Sequence, residues 1–495
     1  MSNLTEKAGV LTVAGVLKQL FRIFIIIFLA RFLTQESFGT FKQVQLLFSF
    51  ISPVLLAGLP AGVLYFLPHI KNKKEILNFI SQAMTLMVLS GAVIAFAVAT
   101  SALWSPTIFH NPRLGPLLII FSFIAFAEVS VGFLRPTLIV LNKVTPLLIF
   151  TLALSLATLL AVIFSAIGSK GNLSVIYVFY ALVYVGMFFL GLLYIKKLLP
   201  KLTLSVSREG FIKQLKYAIP LGLTSTVGLL AWELDKLIVS INFTPAMYAI
   251  YVVGATEIPF IAQIRSAVND VALPEMSKMY LGRNLSGIVG LWHSSIRKIS
   301  LLILPMFVFS FVFAPEIIII LFSSNYLNST LYFRIYLFLI IIRVASYGLI
   351  LQAIGKTSEI FRGAVIFLII NLILNIVLVR IIGLAGPAVA TVIATFVLAL
   401  YYVLVIRKFM EFSFNKILPW LEITKTLLFS ILSIVPILPL VPMNFNPVLK
   451  IVLAAILYFP IFFGAIYVFR VIKEEDKRFV ASYLQKFRSS FRNLL

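Results

Sequence analysis

Val16-Leu17-Lys18-Gln19-Leu20-Phe21-Arg22-Ile23-Phe24-Ile25-Ile26-Ile27-Phe28-Leu29 is an apolar run that carries two cations one helical turn apart. A charge at membrane depth costs about 2.5–3.5 kcal/mol on insertion scales, so it faces a protein interior or a watery cavity. Residues four apart on a helix share a face, which puts Lys18 and Arg22 side by side. Further charges recur in later apolar runs, and most are positive. The pattern is that of a helical membrane protein with a cationic lumen and an anionic substrate.

The rest of the 495 residues agrees with that class, being 61% hydrophobic and 12% charged. Soluble domains run nearer ~45–50% apolar and ~25% charged. The formal charge of +24 is assigned to basic loops beside an anionic leaflet rather than to nucleic-acid binding, because no soluble segment is long enough to form a binding module. With no cysteine, disulfides and thiolate metal sites are excluded, and three scattered histidines argue against a His-rich metal site. The amino terminus lacks a cleavable signal pattern.

Fourteen apolar runs have the ~20-residue length that crosses about 30 Å of hydrocarbon: 9–33, 39–67, 76–103, 116–141, 146–167, 173–195, 214–241, 246–271, 294–322, 329–352, 359–380, 384–406, 423–441 and 447–471. Backbone polar groups in lipid need internal partners, so these runs are expected to be helices, the second and ninth long enough to tilt or break. Lys and Arg gather in alternate loops, at 71–74, 196–216, 278–298 and 407–425 and in the tail from Arg470. By the positive-inside rule both termini are cytoplasmic.

The link 199–213 separates six runs from the next six, and the halves resemble each other at a spacing of about 210 residues. Arg31-Phe32-Leu33-Thr34-Gln35-Glu36-Ser37-Phe38 aligns with Ile241-Asn242-Phe243-Thr244-Pro245-Ala246-Met247-Tyr248 at the turn after each half's first run. Six spans is an even number, so the repeat is parallel, and such transporters place substrate between lobes that rock. The expected organisation is an N-lobe at 1–198, a linker at 199–213, a C-lobe at 214–408, two extra spans at 409–472 and a basic tail at 473–495.

Four stretches carry a family resemblance: Ala30-Arg31-Phe32-Leu33 with Phe38-Gly39; Pro220-Leu221-Gly222 leading to Asp235-Lys236, Tyr248 and Tyr251; Leu273-Pro274-Glu275-Met276-Ser277-Lys278; and Asn371, Asn375, Leu378 with Gly383-Leu384-Ala385-Gly386-Pro387-Ala388-Val389-Ala390-Thr391. On these the chain resembles the polysaccharide-lipid flippase branch of the multidrug/oligosaccharidyl-lipid/polysaccharide exporter superfamily. The resemblance implies two six-helix lobes in a V-shaped arrangement. It also implies movement of a polyprenyl-diphosphate-linked oligosaccharide from inner to outer leaflet of the bacterial inner membrane, beside polymerase or glycosyltransferase partners. The lipid II flippases are similar and also have fourteen spans.

For such a substrate the diphosphate wants guanidinium or ammonium groups in a low-dielectric site. Lys18, Arg22, Arg135, Arg265 and Arg343 are the candidates. For Lys18 and Arg22 the alternative is an ion pair with an acid such as Glu233. Arg31 and Lys42 either line the lumen or snorkel to the surface. Glu128 and Arg135 share a face of the fourth run. Trp232, Glu233, Asp235 and Lys236 form the densest polar cluster: either Glu233 pairs with Lys236, or Glu233 or Asp235 exchanges a proton or Na⁺. In the eighth run Pro259 permits a bend and Asp270 is structural. Tyr332, Tyr336, Arg343 and Tyr347 make one stripe of the tenth run, and Tyr336 suits stacking on sugar. Asn371 and Asn375 read as interhelical glue.

No nucleotide-binding signature is present, so ATP bound to this chain does not drive it. No cofactor, metal or catalytic group is expected. Three other readings are weighed. An ion-coupled organic-cation exporter of the same superfamily fits the cationic excess poorly. An enzyme lacks a sizeable outer loop, and a scaffold leaves the buried cations unexplained.

Overall fold

The computed structural model describes residues 2–56, 59, 66–67, 70, 72–202, 208–258, 261–469 and 471. Pro259, most of the expected second span beyond residue 56, much of the linker 199–213 and the basic tail lie outside the described residues. The described chain is helical throughout and falls into two compact units, Met1–Ala249 and Ile250–Leu495.

In the first unit the helices are α1 (Ser2–Phe32), α2 (Gln35–Leu56), α3 (Lys73–Ser101), α4 (Leu114–Val131), α5 (Leu134–Val140), α6 (Val144–Gly168), α7 (Leu173–Leu198) and α8 (Arg208–Asn242). Helix α4 packs on α3 and α7, α1 packs on α6, and α2 packs on α8. The unit's last helix is thus the first helix of the second sequence repeat. Side chains explain the seam where α2 meets α8 and the turn that follows it: an added Cβ on Gly39 would collide with the carbonyl of Pro245, just beyond α8, so only glycine allows this approach. Thr226 Oγ1 donates to the Pro53 carbonyl at 3.0 Å lower in the seam. Between these points buried Gln43 donates to Ser240 Oγ at 3.0 Å and accepts from Asn111 at 2.7 Å. Buried amides joined in this way leave little unpaired, which is what permits them inside a packed helical unit.

The second unit holds α9 (Pro245–Gly254, whose first turn belongs to the first unit), α10 (Ile261–Leu281), α11 (Leu285–Val312), α12 (Ala314–Phe322), α13 (Thr330–Ile342), α14 (Tyr347–Ala353), α15 (Thr357–Ile382), α16 (Gly386–Met410), α17 (Trp420–Ile434) and α18 (Pro447–Val468). The last two, outside the repeat, are integral to this unit. Tyr458 of α18 reaches the carbonyls of Pro305 on α11 and Ser430 on α17, both at 3.2 Å. Lys450 of α18 pairs with Glu316 of α12 at 3.1 Å, each side chain only 10% exposed.

Ten described segments are long and apolar enough to cross a membrane, and one of them, Thr357–Met410, contains both α15 and α16. Several expected spans are broken. The fourth is α4 and α5, parted near Gly132; the tenth is α13 and α14, parted at Arg343. The eighth stops at Gly254 and resumes at Ile261, so Glu257 sits in the break. The repeat has a structural counterpart: α1 ends at Phe32 and α2 starts at Gln35, while α8 ends at Asn242 and α9 starts at Pro245, each pair 210 residues apart. The later turns match as well, with Gly171 at φ 84° and Gly383 at φ 61°, a backbone region open to glycine at little cost.

Candidate functional site

Polar side chains from five helices of the first unit converge. Lys18 and Arg22 are exposed on α1 and make no hydrogen bond or ion pair among the described residues. Both act electrostatically on Glu128 of α4, itself exposed. Arg22 also acts on Tyr180 and Tyr184 of α7, as Glu128 does. The two rings stand edge to face at 5.0 Å, and Tyr177 stacks on Tyr180 at 6.5 Å. Lys42, half-buried on α2, lies within electrostatic range of Arg22 and of Glu233 and Lys236 on α8. Charged and hydroxyl-bearing groups from five helices thus lie within electrostatic reach of one another. The cluster offers two cations that form no ion pair among the described residues, together with aromatic rings that carry hydroxyls.

Glu233 and Asp235 sit on α8 with Lys236, whose Nζ is 3.2 Å from Glu233 and 3.9 Å from fully buried Asp235. Lys236 also donates to the Trp232 carbonyl at 3.3 Å. Glu233 is therefore engaged within its own helix rather than with Arg22. Arg135 stands apart, exposed on α5 and without an ion pair among the described residues.

In the second unit Arg343 caps the broken end of α13 and pairs with Glu257 from the break before α10. Arg265 of α10 lies in the field of both, and its Nε is buried with no hydrogen-bond partner among the described residues. These three and Tyr336 border a cavity of about 30 Å³, room for about one water. Tyr336 is buried, its hydroxyl 3.2 Å from that of Tyr251 and its ring edge-on to it. Tyr332 packs on Tyr251 too, and Tyr347 packs on Trp292. The tyrosine stripe of the tenth span is thus largely internal packing. Asn375 donates to Asn371 within α15, and Thr391 of α16 donates to Asn371 at 3.4 Å.

Sequence reading missed Tyr180 and Tyr184 and left Lys42 undecided. The signal for the tyrosines was present: Tyr177, Tyr180 and Tyr184 fall on one helical stripe beside the α4 face that bears Glu128. For Lys42 nothing local could decide, because its neighbours come from α1 and α8. Among the described residues no group of three or more His, Asp or Glu side chains is placed to hold a metal.

Comparison with solved structures defines the class by fold. The chain is similar to the lipid II flippase MurJ in its inward closed conformation, at 18% identity and TM-score 0.70, over 93% of this chain and 99% of that one. It is also similar to an inward-facing multidrug resistance transporter of the MATE family, at 16% identity and TM-score 0.60, over 80% and 94%. A third likeness is to a Pyrococcus furiosus transporter of the MOP superfamily with a binding pocket of reversed polarity, at 15% identity and TM-score 0.57, over 83% and 95%. The chain is a multi-pass helical membrane protein with the fold of that superfamily. It belongs to the polysaccharide biosynthesis protein family, whose sequence pattern it matches over residues 28–331. An uncharacterized membrane protein of Methanocaldococcus jannaschii, MJ1068, is 26% identical over 189 residues, 38% of this chain and 36% of that protein. The match thus spans about a third of that relative's length.

Proposed function

We propose that this chain is a flippase that carries a polyprenyl-diphosphate-linked oligosaccharide from the inner to the outer leaflet of the cytoplasmic membrane for envelope polysaccharide assembly. One observation carries the reading: Lys18 and Arg22 stand exposed on one face of α1 with no ion pair among the described residues, and Arg22 lies within electrostatic range of side chains from three other helices. Cations left without partners at that depth are retained for a ligand. A diphosphate supplies the charge-assisted hydrogen bonds that they lack, and Tyr180 and Tyr184 offer rings for sugars to stack on. Arg265 and Arg343 of the second unit are further cationic groups for the cargo, as is Arg135 of the first, and Tyr336 lines the small cavity beside Arg265 and Arg343.

Fourteen spans with both termini in the cytoplasm are part of this proposal. So is alternating access of the repeats 1–198 and 214–408, in which the α2–α8 seam is the contact that opens. The chain makes and breaks no bond in its cargo, and hands it to polymerase or glycosyltransferase partners. Exchange of H⁺ or Na⁺ at Glu233 or Asp235 requires Lys236 to let go of the carboxylate. Membership of the polysaccharide biosynthesis family supports the choice of cargo.

The test is flipping of a polyprenyl-diphosphate oligosaccharide in proteoliposomes, wild type beside Arg22→Ala. Activity in the wild type that is lost in the variant supports both cargo and cationic path. A wild type inert towards several glycans that exports an organic cation overturns the proposal in favour of a drug exporter.

A further inference from the structure

A concave surface lies in the second unit where α16 gives way to α17. Its volume is about 920 Å³, and it is walled by one face of α11 and by the link between the two later helices. On the α11 side Gly290 leaves open space where a side chain would stand. The link is held in place by His293, whose Nε2 is 2.6 Å from the Ile417 carbonyl. From that anchored link Phe414 and Trp420 project outward, 39% and 44% exposed, their rings stacked at 5.9 Å. Stacked rings left exposed at a helix end match the interfacial belt, where aromatic side chains sit at headgroup level.

The charges beside the rings favour an anion. Lys416 lines the concavity, and Arg407 and Lys408 line the adjoining hollow at the end of α16. All three are exposed, and none forms an ion pair among the described residues. Two carboxylates border the same ground, Glu411 and Glu422, so the patch keeps an excess of one positive charge. A purely hydrophobic patch would need no such cations, and a polar protein partner would not need rings at headgroup level.

We propose that this concavity binds the headgroup of an anionic phospholipid from the leaflet that borders the α16–α17 link. Its phosphate meets Lys416, Arg407 and Lys408, and its acyl chains descend past Phe414 and Trp420. Because α11, α16 and α17 all contribute, the bound lipid ties α17, the first of the two extra helices, to α11 and α16. Basic residues near an anionic surface contribute about fivefold each to such binding.

The test uses the full chain in phosphatidylcholine vesicles doped with brominated phosphatidylglycerol or brominated phosphatidylcholine. The readout is the part of the tryptophan emission that Trp420→Phe removes. Brominated phosphatidylglycerol should quench that part at a several-fold lower mole fraction than brominated phosphatidylcholine. Lys416→Gln should reduce the preference about fivefold, and Arg407→Gln/Lys408→Gln should reduce it further. All three positions are exposed, so the variants keep the fold, and Trp420 itself stays in place as reporter. Equal quenching by both lipids, or a preference untouched by all three substitutions, overturns the proposal. Relief of quenching by inorganic phosphate with no effect of headgroup charge also overturns it, since the site would then serve a soluble anion. None of these outcomes depends on what the chain transports.

Discussion

Lys18 and Arg22 in the first unit and Arg343 and Lys450 in the second are the same residue types, held in opposite ways. In the first, Lys18 and Arg22 stand exposed without partners, and the nearest acid of α4 acts on both from a distance. In the second, Arg343 is paired with Glu257 and Lys450 with Glu316, and Arg265 lies beside a cavity of about 30 Å³. A free cation meets an incoming phosphate without first breaking a bond. A paired cation must be released, and its acid left behind. Under the proposed function Lys18 and Arg22 are the groups that capture an anion, while Arg343 and Lys450 are held by their acids.

The comparison can be broken most decisively at the fastener. Lys450→Met leaves the Glu316 carboxylate buried and uncompensated, and should cost about 3–5 kcal/mol, read as a large fall in thermal stability in detergent. The double variant Lys450→Met/Glu316→Leu should recover most of it. If the single variant is neutral, the pair is no fastener.

Next comes capture. Lys18→Ala/Arg22→Ala should lower flipping about 100-fold, as expected for loss of two charge-assisted hydrogen bonds of roughly 1.5 kcal/mol each, with membrane levels unchanged. Flipping within a few-fold of wild type would place capture elsewhere. The seam between α2 and α8 should respond more moderately. Gly39→Ala forces a methyl against the Pro245 carbonyl and should cost about 1–3 kcal/mol, whereas alanine at half-buried Gly228 of α8, where a Cβ meets nothing, should be tolerated. The smallest effect sharpens the contrast. Glu257→Gln frees Arg343 and should tighten binding of an inorganic diphosphate about fivefold, the worth of ~1 kcal/mol, by making the second unit resemble the first. Weaker binding would mean that the carboxylate orients Arg343 for the ligand.

Much of this was legible in the chain because membrane constraints are strong. Apolar length alone delimits most helices, and the 210-residue echo at Phe32 and Asn242 announced the repeat. Breaks inside spans were harder to read. Arg343 interrupts its span through a neighbour, Glu257, that lies 86 positions earlier. Lys42 could not be placed by its own helix, because the charges around it come from α1 and α8. Tyr336 and Tyr180 are both tyrosines on helical stripes. Tyr336 packs on Tyr251 of another helix and Tyr180 on Tyr177 and Tyr184 of its own, a difference set by packing between helices far apart in sequence.

The bridge from Gln43 to Ser240 has a consequence for how the protein is made. The two residues are 197 positions apart, and a ribosome adds about 5–20 residues per second. The Gln43 amide thus waits on the order of 10–40 s for its partner to be synthesised. During that interval the first six spans are in the bilayer with a buried polar group still open, in the state that membrane quality-control proteases and insertase chaperones survey. A nascent chain stalled before α8 would be marked for degradation although every one of its own spans had been inserted.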